Sequence, residues 1–374
     1  MTMQNLLKTD EETMLADSAR GYLDGAAPVS HFRALRDAGA THDAALWKQM
    51  ADMGWAGVLV PEAQGGADMG HAAAGILAGE MGKTLVASPF LSTAVIAATA
   101  LRQVASDRAK AALTQIASGD VTYALAVDET AKFNPEASQL TAKKQGNGYL
   151  LNGRKTFVID GGHADRLLVL ARGDDDKLTL FDLPSDRAGI ERRAKSLVDA
   201  RDAAAVDFKD VAATGDDIIG TLGDAMTVLA PAMRAGQAAL AAEMAGLASG
   251  AFGMTIGYLK ERSQFGVPIG SFQALQHRAA HLWCEIEVTA SAITHAGRML
   301  DQDPDNATLA VSLAKARATD TAKLAVVEGV QMHGGIGMTD AFDIGFYMKR
   351  ARVAAEWLGD YSYHAEQVAR LRGF

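Results

Sequence analysis

From residue 1 to about 119, Ala, Leu and Met recur every three or four positions, in 11–23, 43–53, 71–81, 92–104 and 108–117. That spacing lines apolar side chains along one face and predicts a helix in each stretch. Thr41 and Asp43 are placed to cap the helix leading to Trp47, and Gly54 to stop it. Pro61 and the pair Gly65-Gly66 mark a loop. Between about 120 and 225 the period shortens. VTYALAV, YLLNGRKTFVI, RLLVLAR and KLTLFDL are β-branched or alternating runs and predict strands. Asn147-Gly148 and Asn152-Gly153 predict hairpin turns. From about 226 onward the helical period returns. Met226 to Arg262 predicts one long helix with a packing face of Ala and Gly. Further helices are predicted at 272–301, 305–334 and 340–370. Helix, then strand, then helix, without alternation, argues against a doubly wound dinucleotide fold. It predicts an α+β chain with an N-terminal helical domain at 1–119, a central β domain at 120–225 and a C-terminal helical bundle at 226–374.

Composition agrees with a chain able to build such cores. Of 374 residues, 49% are hydrophobic, which argues against disorder. A net charge of −9 gives no electrostatic footprint for nucleic acid. The one cysteine, Cys284, cannot make an intramolecular disulfide and supports a reducing, cytoplasmic setting. Residues 1–14 carry early acids and no apolar core, so no signal peptide is expected there. Thr84 to Leu101 has no charge, but it is rich in Ala, Ser and Thr and contains Pro89. A buried helix is expected there and no membrane span.

Four segments carry candidate chemistry. Tyr258 to Gln273 reads YLKERSQFGVPIGSFQ. A helix ends near Arg262, a turn with Gly266, Pro268 and Gly270 follows, and Ser271 is placed to cap the next helix. Backbone N–H groups beside a fixed guanidinium suit an anion such as a pyrophosphate, although a plain helix corner gives the same pattern. Gln331 to Thr339 reads QMHGGIGMT, whose glycines permit close approach of backbone or ligand. No strand precedes it, so it is not the dinucleotide fingerprint. Leu151 to Asp165 reads LNGRKTFVIDGGHAD, read as a hairpin with Lys155 and Phe157 on its second strand. Trp47 to Gly66 reads WKQMADMGWAGVLVPEAQGG, a helix running into a loop. His333 is read as structural, and no metal-binding motif occurs.

In order and spacing these segments resemble the acyl-CoA dehydrogenase family, over nearly the whole chain. The counterparts there read W..LAE.GW.GL.VPE..GG, LNG.K.FI.NG..AD, Y...R.QFG.PI..FQ and Q..GG.G. The resemblance implies an N-terminal helical domain, a central β domain and a four-helix bundle, in dimers or tetramers holding FAD between subunits. It implies that Arg262, Gln264, Phe265, Ile269 and Phe272, with Gln331, Gly334 and Gly335, meet the pyrophosphate and adenosine of a neighbour's FAD. Ala126, Val127, Phe157 and Ile159 would lie along the flavin of their own subunit. The implied reaction is α,β-desaturation of an acyl-CoA: a carboxylate removes the α-proton, hydride goes to flavin N5, and an electron-transferring flavoprotein takes the electrons.

The usual base is absent from both family positions. One is Leu358, before Gly359; the other, 26 residues before Arg262, is Gly236. Glu243, two turns along the same helix, and Asp360 are the candidate substitutes. A structural carboxylate paired with an Arg is the simpler expectation for Glu243, and a solvated helix residue for Asp360. The loop usually written TEPGAGSD reads VDETAKFN, and Ile159 stands where a Thr is usual. These departures resemble the small subunits of bacterial heteromeric acyl-CoA dehydrogenases acting on pimeloyl-type or steroid side-chain CoA thioesters. There a partner chain supplies the base, giving a heterotetramer. A homomer, a non-catalytic FAD-binding subunit and a flavin oxidase of a non-CoA substrate remain as alternatives.

Overall fold

The computed structural model describes residues 8–374. The leader expectation for residues 1–14 lies partly on residues 1–7, outside the described residues. The chain forms two compact units, each with its own core. One comprises Gly39–Gly70 and Ala87–Gly236; the other comprises Met1–Ala38, His71–Val86 and Gln237–Phe374.

The first of these units is built on a mixed sheet. Its strands are β1 (Tyr123–Ala126), β2 (Thr141–Gln145), β3 (Gly148–Ile159), β4 (Arg166–Gly173), β5 (Leu178–Pro184), β6 (Ile190–Ala194), β7 (Ala203–Ala213) and β8 (Ile218–Ile219). They run in the order β6-β7-β3-β2-β4-β5-β8, with β1 paired to β4 in parallel. Leu151, Val158, Leu167, Val169, Phe181, Val206 and Phe208 form the core on one face, as period-two side chains should. The segment Phe90–Arg102 is a short apolar helix that opens with π-type turns. Every residue from Phe90 to Leu101 is buried, so its lack of charge reflects the core, as expected. Thr93 Oγ1 ties it to β1, accepting from Tyr123 N at 2.9 Å and donating to Tyr123 O at 3.2 Å.

Two turn expectations are corrected. Gln145 pairs with Gly148, so the β2–β3 turn is Gly146-Asn147, one residue earlier than read from sequence. Asn152-Gly153 is no turn at all but lies inside β3 opposite a bulge in β7, where the register moves from Leu151–Val211 to Gly153–Phe208 and Asp210 takes φ +50. Gly153 has φ +143, and a Cβ there would sit 2.9 Å from Leu140 Cα. Asn152 bonds across to Asp210 instead, through Nδ2 to Oδ1 at 3.0 Å and from Asp210 N to Asn152 Oδ1 at 2.9 Å. Lys155 and Phe157 therefore lie on the single strand β3.

The other unit is helical. Asp10–Ala26, Val29–Asp37 and Gly70–Thr84 join the later helices Gln273–Gln302, Thr308–His333, Ile344–Glu356 and Tyr361–Leu371. The 37-residue helix Ala225–Glu261 supplies its residues from Gln237 onward. By length and composition this helix could cross a membrane, but 67% of its apolar window is buried in the fold, as in a core helix. Its small face has a packing cause. A Cβ on Gly246 would lie 1.8 Å from Gly79 O, so only glycine permits the observed approach. Ala248, Leu282, Ile286 and Ala325 pack the core between helices.

Two further expectations are corrected. Ser271 caps nothing: its hydroxyl donates to Pro268 O at 2.7 Å, and Phe272 occupies the N-cap position without a side-chain bond. Residues 340–370 form two helices, broken between Glu356 and Tyr361. Leu358 (φ +58) and Gly359 (φ +103) both take left-handed backbone, which ends the first helix.

Candidate functional site

The broken helix creates the first feature, a turn pinned from three sides. The Leu358 carbonyl accepts from Gln237 Nε2 at 3.0 Å and lies 3.1 Å from His364 Nε2. The Lys315 ammonium donates to Ala354 O at 3.1 Å and Gly359 O at 3.3 Å. Lys315 and His364 are both fully buried. Burial lowers Lys315 to about 7, against Glu356 and Asp360, which favour its charge. Burial, then the nearby Lys315, lowers His364 to about 3. His364 is thus neutral, with Nε2–H donating to Leu358 O and Nδ1 buried without a partner. A non-glycine residue at φ +58 is strained, and these bonds hold it. Leu358 itself is 1% exposed and brings no proton acceptor to the turn.

This burial gives a pH prediction. The unfolded chain binds the His364 proton near 6.5, the folded chain only near 3. His364 therefore leaves stability intact above 6.5 and erodes it as pH falls towards 3, by at most about 1.4 kcal/mol per unit. Urea midpoints measured from pH 7 to 4 should fall steeply in the wild type and less steeply in His364→Gln. Equal slopes would remove His364 as the cause.

Neither candidate base is free for the turn. Glu243 is buried and its Oε1 lies 3.4 Å from Arg350 Nη1. Arg350, 1% exposed, also donates to Val86 O at 3.3 Å and Leu85 O at 3.5 Å. That matches the simpler reading of Glu243 as a structural partner of an Arg. Asp360 caps the last helix, accepting from Tyr363 N at 2.8 Å, so it is a capping residue and not merely a solvated one. Gly236 lies inside the long helix and offers no side chain.

The second feature is a surface corner. Arg262 follows the long helix, and Ser263–Gln264 pairs with Val267–Pro268 in a minimal hairpin. Ile269 N donates to Arg262 O at 2.8 Å and closes the corner. Phe265 at its tip is 92% exposed with φ +55, and Phe272 meets it edge-on at 6.2 Å. Apart from that contact, the exposed Phe265 ring on left-handed backbone is open to a ligand or a neighbouring surface. The exposed Arg262 guanidinium has no partner among the described residues. Gln264 Nε2 donates to Ser263 O at 2.8 Å. The Gly motif is brought beside this corner. His333, Tyr258 (one turn before Arg262) and Phe342 form a three-ring cluster, with His333 4.5 Å from Tyr258 and 4.6 Å from Phe342, and those two 5.8 Å apart. His333 Nδ1 lies 2.6 Å from Gly329 O, a structural role as expected. Gln331 and Gly334 and Gly335 are exposed, and open space surrounds both glycines. A free guanidinium beside uncrowded glycine backbone fits a pyrophosphate.

The third feature lies at the end of β1. Ala126 and Val127 are buried, and Thr156 N donates to Asp128 O at 2.8 Å. That bond brings Phe157 and Ile159 of β3 beside them. Lys155, fully buried, donates to Glu129 Oε1 and Ser138 Oγ, both at 2.7 Å, and to Val127 O at 3.3 Å. Burial lowers this Lys to about 8, with Glu129 opposing.

Sequence reading missed Gln237, Lys315, His364 and Asp128. Lys315 shares the run AVSLAKARATDTAKLAVV with Arg317, Asp320 and Lys323, so the sequence did not single it out. Nothing marked Gln237 or His364.

Comparison with known proteins adds identity to this geometry. The models of the acyl-CoA dehydrogenase N-terminal, middle and C-terminal domains match residues 9–120, 124–211 and 225–371. Acyl-CoA dehydrogenase IpdE2 of Mycolicibacterium smegmatis is 30% identical over 97% of this chain and 98% of its own length. A variant of the Tcur3481-Tcur3483 steroid ACAD superposes with TM-score 0.85 at 28% identity, covering 97% of this chain and 98% of that one. The ChsE4-ChsE5 complex from Mycobacterium tuberculosis superposes with TM-score 0.90 at 24% identity, covering 98% of each chain, which speaks to fold.

Proposed function

The chain belongs to the acyl-CoA dehydrogenase family, an FAD-dependent oxidoreductase acting on CH–CH bonds, and from that premise we propose that it is the base-less subunit of a heteromeric enzyme. In this division of labour it clamps the cofactor, and a second acyl-CoA dehydrogenase chain carries the base. The observation that carries this reading is the Leu358–Gly359 turn. Gln237, His364 and Lys315 hold it in shape, yet it ends in leucine. Glu243 is committed to Arg350 and Asp360 to a helix cap.

FAD, when bound, supplies the hydride acceptor. Arg262 and the N–H groups near Gly334 and Gly335 would hold the pyrophosphate of the partner's cofactor, with Gln264 and Gln331 completing the polar rim. Phe265, Ile269 and Phe272 would cover the adenosine and shut out water. On the chain's own β unit, Ala126, Val127, Phe157 and Ile159 would line the flavin. The substrate class is a CoA thioester, and the steroid-active relative favours a bulky steroid-derived acyl group. An electron-transferring flavoprotein would reoxidise the enzyme in the cytoplasm.

Assembly tests the reading. Expressed alone and with a base-carrying acyl-CoA dehydrogenase chain, the protein should show a mixed tetramer by native mass only in the second case, with flavin at more than tenfold higher occupancy. A stable homomer that ignores the second chain would overturn the proposal.

A further inference from the structure

The β1 end holds a carboxyl that the reading above does not use. Asp128 follows Val127 directly, and its Oδ1 is sealed from solvent without a hydrogen-bond partner among the described residues. Its segment does not yield to relieve this. The Asp128 carbonyl accepts from Thr156 N at 2.8 Å and from Thr156 Oγ1 at 3.4 Å, which fixes the backbone. The nearest cation cannot satisfy it either. An ammonium has three donors, and those of Lys155 go to Val127 O, Glu129 Oε1 and Ser138 Oγ. Glu129 is equally committed, accepting also from Ser138 Oγ at 2.7 Å, Gln139 N at 2.7 Å and Leu140 N at 2.9 Å. The charged groups around Asp128 are thus Lys155 on β3 and Glu129 beside it, and they are paired with each other. A buried polar atom left open beside a binding segment marks a group kept for a ligand.

We propose that Asp128 is a cofactor-tuning carboxyl: set between the Ala126-Val127 and Thr156-Phe157 segments, it borders the bound flavin, and its ionisation sets how readily the ring accepts a hydride. This rests on the reading that these segments line the flavin. Burial pushes Asp128 up to about 7, with Lys155 opposing, so it changes charge near neutrality. Protonated, it can donate a hydrogen bond to an acceptor on the ring. Ionised, it opposes the negative charge that hydride transfer leaves there. Reduction therefore raises its proton affinity, and proton uptake is linked to reduction above pH 7.

The test is the flavin reduction potential of the flavin-loaded complex from pH 5.5 to 9.5, by dye equilibration, for wild type and Asp128→Asn. The wild-type plot should steepen from about pH 7 and then resume its earlier slope. Asp128→Asn should give one slope and a higher potential at pH 9. The absorbance of the oxidised wild-type flavin should also shift near pH 7, a change the variant lacks. If the wild-type plot shows no steep segment, Asp128 is not the tuning group, whatever the variant does. Parallel plots for the two proteins would overturn the assignment while leaving the flavin-lining reading intact. Failure of added FAD to bind the complex would overturn both.

Discussion

Leu358→Glu is expected to give the isolated, flavin-loaded chain an acyl-CoA dehydrogenation that the wild type lacks. A positioned general base is worth roughly 10²–10⁴-fold, so the gain over wild type should fall in that range. The turn is already shaped for it. Leu358 holds left-handed backbone at φ +58, and its carbonyl is fixed by Gln237 and His364. Leu358 is 1% exposed, so a Glu there would sit in low dielectric with its pKa raised, as a base working near neutrality requires. The assay is dye reduction with a panel of CoA thioesters, with melting temperature and flavin content as controls. A folded, flavin-loaded variant with no gain would show that the turn no longer aims at the substrate.

Arg262→Ala is expected to lower flavin affinity by roughly 10- to 100-fold, the worth of one charge-assisted pair to a phosphate. The Arg262 guanidinium is exposed and has no partner among the described residues. Removing it should therefore leave stability within about 0.5 kcal/mol of wild type. An affinity loss without a stability loss separates a cofactor contact from a packing role. Calorimetric titration with FAD of the two-chain complexes carrying wild-type or Arg262→Ala, and thermal melts of both, provide the two numbers. Unchanged affinity would remove the clamp from the account.

The sequence carried the segment order because periodicity is local. Runs such as RLLVLAR and the Ala- and Gly-rich face of the long helix report their environment directly. The Arg262 corner was legible too, since glycine and proline positions set its shape. Three features were not. The run from Phe346 to Leu371 keeps a helical period, and only Gly359 hinted at the break. The turn depends on Gln237, 121 residues from Leu358, and on Lys315, 44 residues from Gly359. Asn152-Gly153 looked like a turn because the pair favours hairpin turns, whereas here Gly153 is needed for its close approach to Leu140 within β3. Asp128 was invisible because its significance is a missing partner, and only the committed bonds of Lys155 reveal it. Glu243 went as the simpler expectation had it, since a buried carboxylate on an apolar helix needs a cation.

The central claim is that cofactor binding and proton abstraction have been divided between two chains. Its most direct test is a single-turnover experiment on the wild-type chain alone, loaded with FAD and mixed anaerobically with saturated acyl-CoAs, including steroid side-chain thioesters. The account predicts no bleaching of the flavin on the timescale of turnover, and prompt bleaching once a base-carrying partner chain completes the complex. Prompt bleaching by the isolated chain would contradict it.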